Sequence, residues 1–328
     1  MAPAAAAVLP HPPLLVPALA GTAAPELDPL RAACREALVT VTAAADLTIL
    51  VGTGPVWAVP TPSALGSFHP YGADLDVTLP ALTGLDLPAA LTNLQLPDLK
   101  DNHLPGLPPP AHLAELPLSL AIAAHLLATL DPPPTRLAAV TVPAALGPSA
   151  AATIGHALAA AGRRAASADS GSPSGDRGGQ PHGSPDRARP AARVADRGGQ
   201  AHGSADRARP TGRIGLVVMG DLSACRTDRA PGGLRPEAAA FDASISEAFR
   251  SATPHRLLDL DPTRAAALLV SGRVPLQVLA GAFEQPDPTG EAGSGRDLDQ
   301  TRPEVRGRVL YEGAPYGVGY LVAVLTAS

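Results

Sequence analysis

Two polar loops, each directly after an apolar run, carry side chains able to do chemistry. The run Ala5–Leu9 is followed by Pro10-His11-Pro12-Pro13, and the run Ile214–Met219 is followed by Gly220-Asp221-Leu222-Ser223-Ala224. Such runs are typical of buried strands, and α/β proteins place their ligand sites in the loops at the carboxyl ends of strands. The His11 imidazole is able to bind a metal or transfer a proton, whereas Ala224 on the second loop can do neither.

Each candidate histidine has a chemical and a structural interpretation. His11 either binds a metal or fixes its loop by hydrogen bonding. His69, which follows Ser67-Phe68, is either a second metal ligand or a loop residue beside a turn. His112 is either part of a site or a residue that caps or orients a helix.

The second loop has the same two interpretations. In the chemical one, Asp221, Ser223 and Cys225 line a pocket. In the structural one, Asp221 and Ser223 bind backbone amides in the turn after the strand, and Cys225 is a small buried residue.

The elements that must position these residues follow from the apolar pattern. Strands are predicted over 5–9, 47–52, 74–79, 137–142, 214–219, 309–312 and 318–325. Helices are predicted over 26–41, 113–130, 149–163, 236–251 and 263–270, the last running on towards Phe283. Strands that alternate with helices indicate a single α/β domain, residues 1–164 and 213–328, with a central mixed, largely parallel sheet flanked by helices.

Residues 165–212 differ in kind from the rest of the chain. The segment from Asp176 to Pro190 recurs almost unchanged from Asp196 to Pro210, and the stretch from Arg163 to Arg213 has ten arginines and five aspartates. A unit with so few apolar residues cannot bury a core of its own. We therefore predict a disordered, repeat-containing insert that loops out of the domain.

Composition narrows the class of protein. The chain has 328 residues, 45% of them apolar, and a formal net charge of −5, which does not suggest a dedicated nucleic-acid binder. Its later apolar stretches are too short to span a bilayer, and prolines interrupt the apolar N-terminus, which favours a first core strand over a signal peptide. Two cysteines are too few for a disulfide scaffold. We expect a cytoplasmic protein with no membrane or nucleic-acid partner.

Four segments, in order, carry a resemblance to a known family. They are Leu9-Pro-His-Pro-Pro-Leu-Leu15, Ala111-His-Leu-Ala-Glu-Leu-Pro-Leu118, Gly220-Asp-Leu-Ser-Ala224 and the segment from Val270 to Ala282. Together they resemble the catalytic chains of the class III extradiol ring-cleavage dioxygenases and the related Memo-like proteins. The resemblance covers nearly the whole chain apart from the insert.

This resemblance implies a non-haem Fe(II) centre that opens catechol rings. The family holds its iron with two histidines and one glutamate, which leaves coordination positions for the catecholate and for O₂. His11 matches the first ligand, and His112 matches the histidine of the second motif and is assigned a catalytic role. The acid/base histidine of the family falls on Ala224.

Two positions implied by the resemblance depart from the family pattern. The second histidine ligand would follow the strand 47–52, where the chain has Thr53-Gly54-Pro55. The glutamate falls near Gly272-Arg273, where a positive charge replaces a carboxylate. His69 is the candidate to complete the metal site, with Cys225 as another and Glu312 as a third.

These residues leave two main hypotheses open. The first is an Fe(II)-dependent extradiol dioxygenase that acts on a small aromatic, catechol-type substrate. The second is a family member without ring-cleaving activity that needs no cofactor and serves as a binding protein or as a partner chain, in a homo-oligomer or with another protein. A third, weaker hypothesis is a different chemistry in which the sulfur of Cys225 joins two histidines.

Overall fold

The computed structural model describes residues 2–80, 111–134, 136–168, 212–284 and 304–328. The predicted insert lies outside the described residues except at its two ends. At the first end, residues 165–168 continue the helix that precedes the predicted insert.

The described residues form one sheet of nine strands. The strands are β1 (Ala5–Leu9), β2 (Leu47–Thr53), β3 (Ala58–Ser67), β4 (Asp76–Thr78), β5 (Ala111–Glu115), β6 (Leu137–Val142), β7 (Ile214–Met219), β8 (Val305–Gly313) and β9 (Tyr320–Ala327). Their order across the sheet is β4-β3-β6-β2-β7-β1-β9-β8, with β5 paired to β3. The four adjacent strands β6, β2, β7 and β1 are parallel to one another, and antiparallel pairs flank them.

Helices cover both faces of this sheet. They are α1 (Pro17–Ala20), α2 (Asp28–Ala44), α3 (Leu118–Leu127), α4 (Pro148–Ala168), α5 (Ala238–Arg250), α6 (Pro262–Ala267) and α7 (Arg273–Phe283), with 3-10 turns at Pro13–Leu15, Gly21–Leu27, His69–Tyr71 and Pro254–Asp259. The α/β class with a central mixed sheet is therefore confirmed. No helix in the described ranges is long and apolar enough to cross a membrane.

The alternation of side chains along the central strands divides the core in two. In β2, Ile49 and Val51 pack on the face covered by α4, α5 and α7, whereas Leu50 packs on the face covered by α2 and α3. Each central strand is buried on both faces, which is why it reads as an uninterrupted apolar run in the sequence.

The parallel strands bring their carboxyl ends to one edge of the sheet, which we call the carboxyl edge. Leu9 of β1 pairs with Met219 of β7, and the Gly220 amide donates to the Leu9 carbonyl at 2.8 Å. The loops that begin at Pro10 and Gly220 therefore leave the sheet side by side. This register places His11 next to Asp221.

Two predicted helices were wrong in their bounds. Residues 111–115 form strand β5, and α3 begins only at Leu118, because a residue that precedes a proline disfavours helical backbone and Pro117 ends the extended segment. The helix predicted from 263 towards 283 is two helices, α6 and α7. The break between them contains Leu269, whose φ is +55°.

Candidate functional site

His11 and Asp221 meet at the carboxyl edge. The backbone amide of His11 donates to Asp221 Oδ1 at 2.8 Å. The sequence folds this way locally because Pro10, Pro12 and Pro13 have no amide hydrogen, so His11 supplies the free donor of its loop. The Asp221 side chain is 18% exposed and remains open to solvent at this position.

One nitrogen of the His11 imidazole is buried and has no hydrogen-bond partner among the described residues. The residue is 8% exposed, and among the described residues Nδ1 is buried with no hydrogen-bond partner. Its distance to Asp221 Oδ1 is 3.8 Å, which is too long for a hydrogen bond. A buried polar atom without a hydrogen bond lowers the stability of a fold by about 1–3 kcal/mol, so the burial of this nitrogen destabilises the protein.

The start of α7 closes over the Asp221 loop. The Asp221 amide donates to Ser271 Oγ at 3.2 Å, and the Gly272 amide donates to the Asp221 carbonyl at 2.9 Å. A Cβ on Gly220 would overlap Gly272, so the two segments touch through backbone alone. Asp221 is therefore fixed from both sides.

Tyr320, the first residue of β9, lies beside the Asp221 loop, because the Leu222 amide donates to the carbonyl of Gly319 at 2.9 Å. Burial raises the pKa of its phenol well above the ordinary value, and the negative charge of Asp221 raises that pKa further. The hydroxyl is therefore protonated at neutral pH and keeps its capacity to donate a hydrogen bond. The site thus combines an imidazole, a carboxylate and a phenol.

Ser223 lies deeper and binds a buried carboxylate. Its amide and its hydroxyl both donate to Asp242 of α5, at 2.9 and 2.7 Å, and Arg226 Nη1 donates to the same carboxylate at 2.9 Å. Burial raises the pKa of the Asp242 carboxyl, while the bonds from Ser223 and Arg226 oppose that rise. Ser223 is fully buried, so it supports the loop rather than lining a pocket.

Sequence reasoning missed Asp242. A usable signal existed, because Asp242 stands on the apolar stripe of a predicted helix, one turn from Ala238 and from Ile245. A carboxylate at a core position requires partners nearby, and donors on the preceding loop are the nearest in sequence. Cys225 is also buried, with its sulfur 3.5 Å from the Leu268 carbonyl oxygen.

Comparison with known proteins supports a statement about the fold and about nothing else. No protein-family model matches this chain, and no curated protein does. A solved structure is similar: "Crystal structure of uncharacterized protein JW3007 from Escherichia coli K12", with a TM-score of 0.51, 12% sequence identity and coverage of 98% of both chains. The shared feature is the fold. At that identity the likeness carries no information on activity.

His69 lies away from His11. β3 begins beside the carboxyl end of β6, where Ala58 pairs with Thr141, and runs antiparallel to it, so the far end of β3 points away from the carboxyl edge. His69 follows that far end, and its side chain is 53% exposed. Its Nε2 lies 3.2 Å from Asp74 Oδ1 and 3.5 Å from Asp76 Oδ1. The structure thus pairs His69 with two surface aspartates.

His112 is on a strand rather than at the start of a helix. It lies in β5, opposite Val59 of β3, and is exposed. The predicted role as a helix cap is therefore wrong. Since the amino end of β5 pairs with the amino end of β3, His112 stands on the outer part of the sheet, beyond β3 from the parallel centre.

Arg273 stands near the position where the resemblance implies a glutamate. Its side chain binds backbone and side-chain oxygens of the fold. Its guanidinium donates to the carbonyls of Ala144 and Leu146 and to Gln277 Oε1, so it ties the loop after β6 to α7. Burial lowers its pKa. The positive charge is directed at backbone carbonyls of that loop.

An iron centre of the implied kind does not fit the described residues. It requires two histidines and a carboxylate around one point. His11 and Asp221 supply one of each, but Thr53-Gly54-Pro55 follows β2, and His69 is elsewhere. Within the described ranges, no group of three histidine, cysteine, aspartate or glutamate side chains is arranged to hold a metal.

Proposed function

We propose that this chain is a non-catalytic protein of the extradiol-dioxygenase-like kind, which binds a small hydroxylated aromatic compound at the carboxyl edge. The observation that carries the proposal is the buried, unpartnered Nδ1 of His11 beside the Asp221 carboxylate. A phenolic hydroxyl can donate to the Asp221 carboxylate, whose side chain is 18% exposed. The order of the four sequence motifs supports an aromatic ligand, through the resemblance alone.

The missing metal donors favour binding over ring cleavage. Where the resemblance implies an acid/base histidine the chain has Ala224, and the second ligand position holds no imidazole. A binding role needs neither group. The two free, buried cysteines favour a reducing compartment, so we propose a cytoplasmic location.

Binding to the metal-free protein tests this proposal. With a chelator present and oxygen excluded, calorimetric titration with catechol should give saturable binding, whereas catechol dimethyl ether, which has no hydroxyl to donate, should bind weakly. Asp221→Asn keeps an oxygen to accept the His11 amide but removes the charge, and should weaken catechol binding about tenfold. His11→Ala should do the same.

A matched control separates the site from general effects of removing a histidine. His255 is exposed and lies on the 3-10 turn Pro254–Asp259, so His255→Ala should leave catechol binding unchanged. Absence of catechol binding to the wild type, or equal binding by all four proteins, contradicts the proposal.

The iron-dependent dioxygenase is the second candidate, favoured by the motif order and by the placement of His11. Anaerobic loading with Fe(II) distinguishes it. Stoichiometric iron that is lost in His11→Ala, together with O₂ uptake and ring opening of catechol, would establish the enzyme and overturn the non-catalytic assignment.

A further inference from the structure

A cavity of about 350 Å³ lies at the opposite edge of the sheet from His11. We call it the amino-edge cavity, because its walls are the end of α2, the start of β2 and the loop before β6. The lining residues are Val39, Thr42, Ala43, Ala45, Asp46, Thr48, Leu130, Asp131, Pro132, Pro133, Pro134 and Arg136. The volume is at the lower end of the range for small-molecule sites, about 300–1,000 Å³.

Thr48 lines this cavity and contributes a hydroxyl that has no hydrogen-bond partner among the described residues. It is 2% exposed, and alternation along β2 turns its side chain to the same face as Leu50, towards α2 and α3. No partner for the hydroxyl is present in the part of the chain that the structure describes, although the Thr48 amide donates to the Arg136 carbonyl. A hydroxyl without a protein partner at the wall of a cavity can form a hydrogen bond with a polar ligand atom.

The electrostatics of the cavity favour a cation. Among the described residues that line it, Asp46 and Asp131 face one guanidinium, that of Arg136, which donates to the Ala165 carbonyl at 3.1 Å. The carboxyl end of α2, which has no basic residue in its last turn, adds the partial negative charge of a helix C-terminus. Asp46 is held in place because one of its oxygens accepts the Arg213 amide at 2.9 Å.

We propose that the amino-edge cavity is a second ligand site and that it takes a small organic ammonium compound. The ammonium group donates to the Thr48 hydroxyl and to the carboxylates, and its apolar chain lies against Leu130 and the three prolines. The rigid proline segment limits the length of that chain. This site is separate from the carboxyl edge and does not depend on the function proposed there.

A size-matched series of probes tests the proposal. Ligand-observed NMR with n-butylammonium, n-butanol and butyrate should rank affinity in that order. Thr48→Val, which preserves shape and strand propensity, should weaken butylammonium binding about fivefold, and Asp131→Asn should weaken it about threefold. Asp228→Asn, an exposed aspartate on the loop after β7, is the control and should have no effect.

The outcomes are distinct. Butyrate binding as tight as butylammonium, or butylammonium affinity unchanged in both cavity variants, overturns the proposal. His11→Ala should leave butylammonium binding intact, so failure of the carboxyl-edge proposal does not affect this one. If Thr48→Val does not fold, the Asp131→Asn measurement and the probe ranking still decide.

Discussion

Asp242 shows how one buried carboxylate can organise a loop. It is fully buried, and three donors from Ser223 and Arg226 satisfy it. A Cβ on Gly319 would lie 2.5 Å from its Oδ2, so the hairpin between β8 and β9 also packs against it. Asp242 thereby joins α5 and that hairpin to the loop after β7, which carries Asp221.

We expect Asp242→Asn to lower the free energy of unfolding by about 1.5–3 kcal/mol, because it replaces an ionic acceptor with an amide that presents N–H groups to existing donors. Urea denaturation measures the change. Asp228 is exposed on the loop after β7, so Asp228→Asn should change the free energy of unfolding by less than about 0.5 kcal/mol. Equal effects from the two substitutions would contradict the role given to Asp242.

Cys34 gives a prediction about reactivity. Burial raises the pKa of its thiol from 9.0 to about 12. At pH 8 the folded protein therefore holds almost no Cys34 thiolate, and a thiol reagent should label neither this residue nor the buried Cys225 until guanidinium unfolds the chain. Rapid labelling of the native protein that disappears in Cys34→Ser would contradict the burial.

The raised pKa of Cys34 makes the free energy of unfolding depend on pH. Below pH 9.0 the thiol is protonated in both folded and unfolded states, so it contributes no pH dependence. Between 9.0 and about 12 only the unfolded state loses its proton, so the free energy of unfolding falls as pH rises. Cys34→Ala should remove this part of the alkaline slope.

At the scale of elements, the sequence predicts the parallel centre of the sheet well. The predicted strands 5–9, 137–142 and 214–219 coincide with β1, β6 and β7. These strands are buried on both faces, so every residue is apolar or small and the run stands out. The adjacency of His11 and Asp221 follows from the pairing of two such strands, which topology rather than composition decides.

The outer part of the sheet could not be predicted in the same way. β3 contains Pro60, Pro62 and Gly66, residue types depleted in strands, and its middle is exposed. β5 is exposed along most of its length and lacks an apolar alternation. Since these strands are specified by tertiary pairing, the placement of His69 and His112 could not be obtained from local pattern.

The crossing of α4 and α7 depends on glycine. A Cβ on Gly155 would overlap the Val278 carbonyl, and one on Gly281 would overlap the Ala152 backbone. We expect Gly155→Ala to lower stability by about 1–3 kcal/mol through overpacking, measured as a fall in Tm. Gly147→Ala, at a site with no atom near the added carbon, is the matched control and should leave Tm nearly unchanged.

At the scale of the whole molecule, the two edges of the sheet have different chemistry. The carboxyl edge combines the His11 imidazole, the Asp221 carboxylate and the Tyr320 phenol, whereas the amino-edge cavity is lined by the Thr48 hydroxyl, two carboxylates and one guanidinium among the described residues. The parallel centre separates them by the length of a strand. Ligand binding at one edge should therefore leave affinity at the other unchanged, which a competition titration checks.

The ends of the chain around the predicted insert lie close together at the amino edge. Ala165 of α4 accepts from Arg136, at the start of β6, and Arg213, before β7, bonds to Asp46, at the start of β2. Adjacent strands are about 4.8 Å apart, so a flexible linker of about eight residues spans these ends. Residues 169–211 are therefore not needed to close the chain.

We expect replacement of residues 169–211 by such a Gly-Ser linker to keep the fold and to raise its stability by about 1 kcal/mol, because a shorter loop costs less entropy to close. Thermal unfolding and near-ultraviolet circular dichroism measure this. A Gly-Ser segment of the original length is the control, and it should match the wild type in Tm, since only its sequence changes. Loss of cooperative unfolding in both variants would mean that the repeats contribute to the core, contrary to the single α/β domain proposed from the apolar pattern.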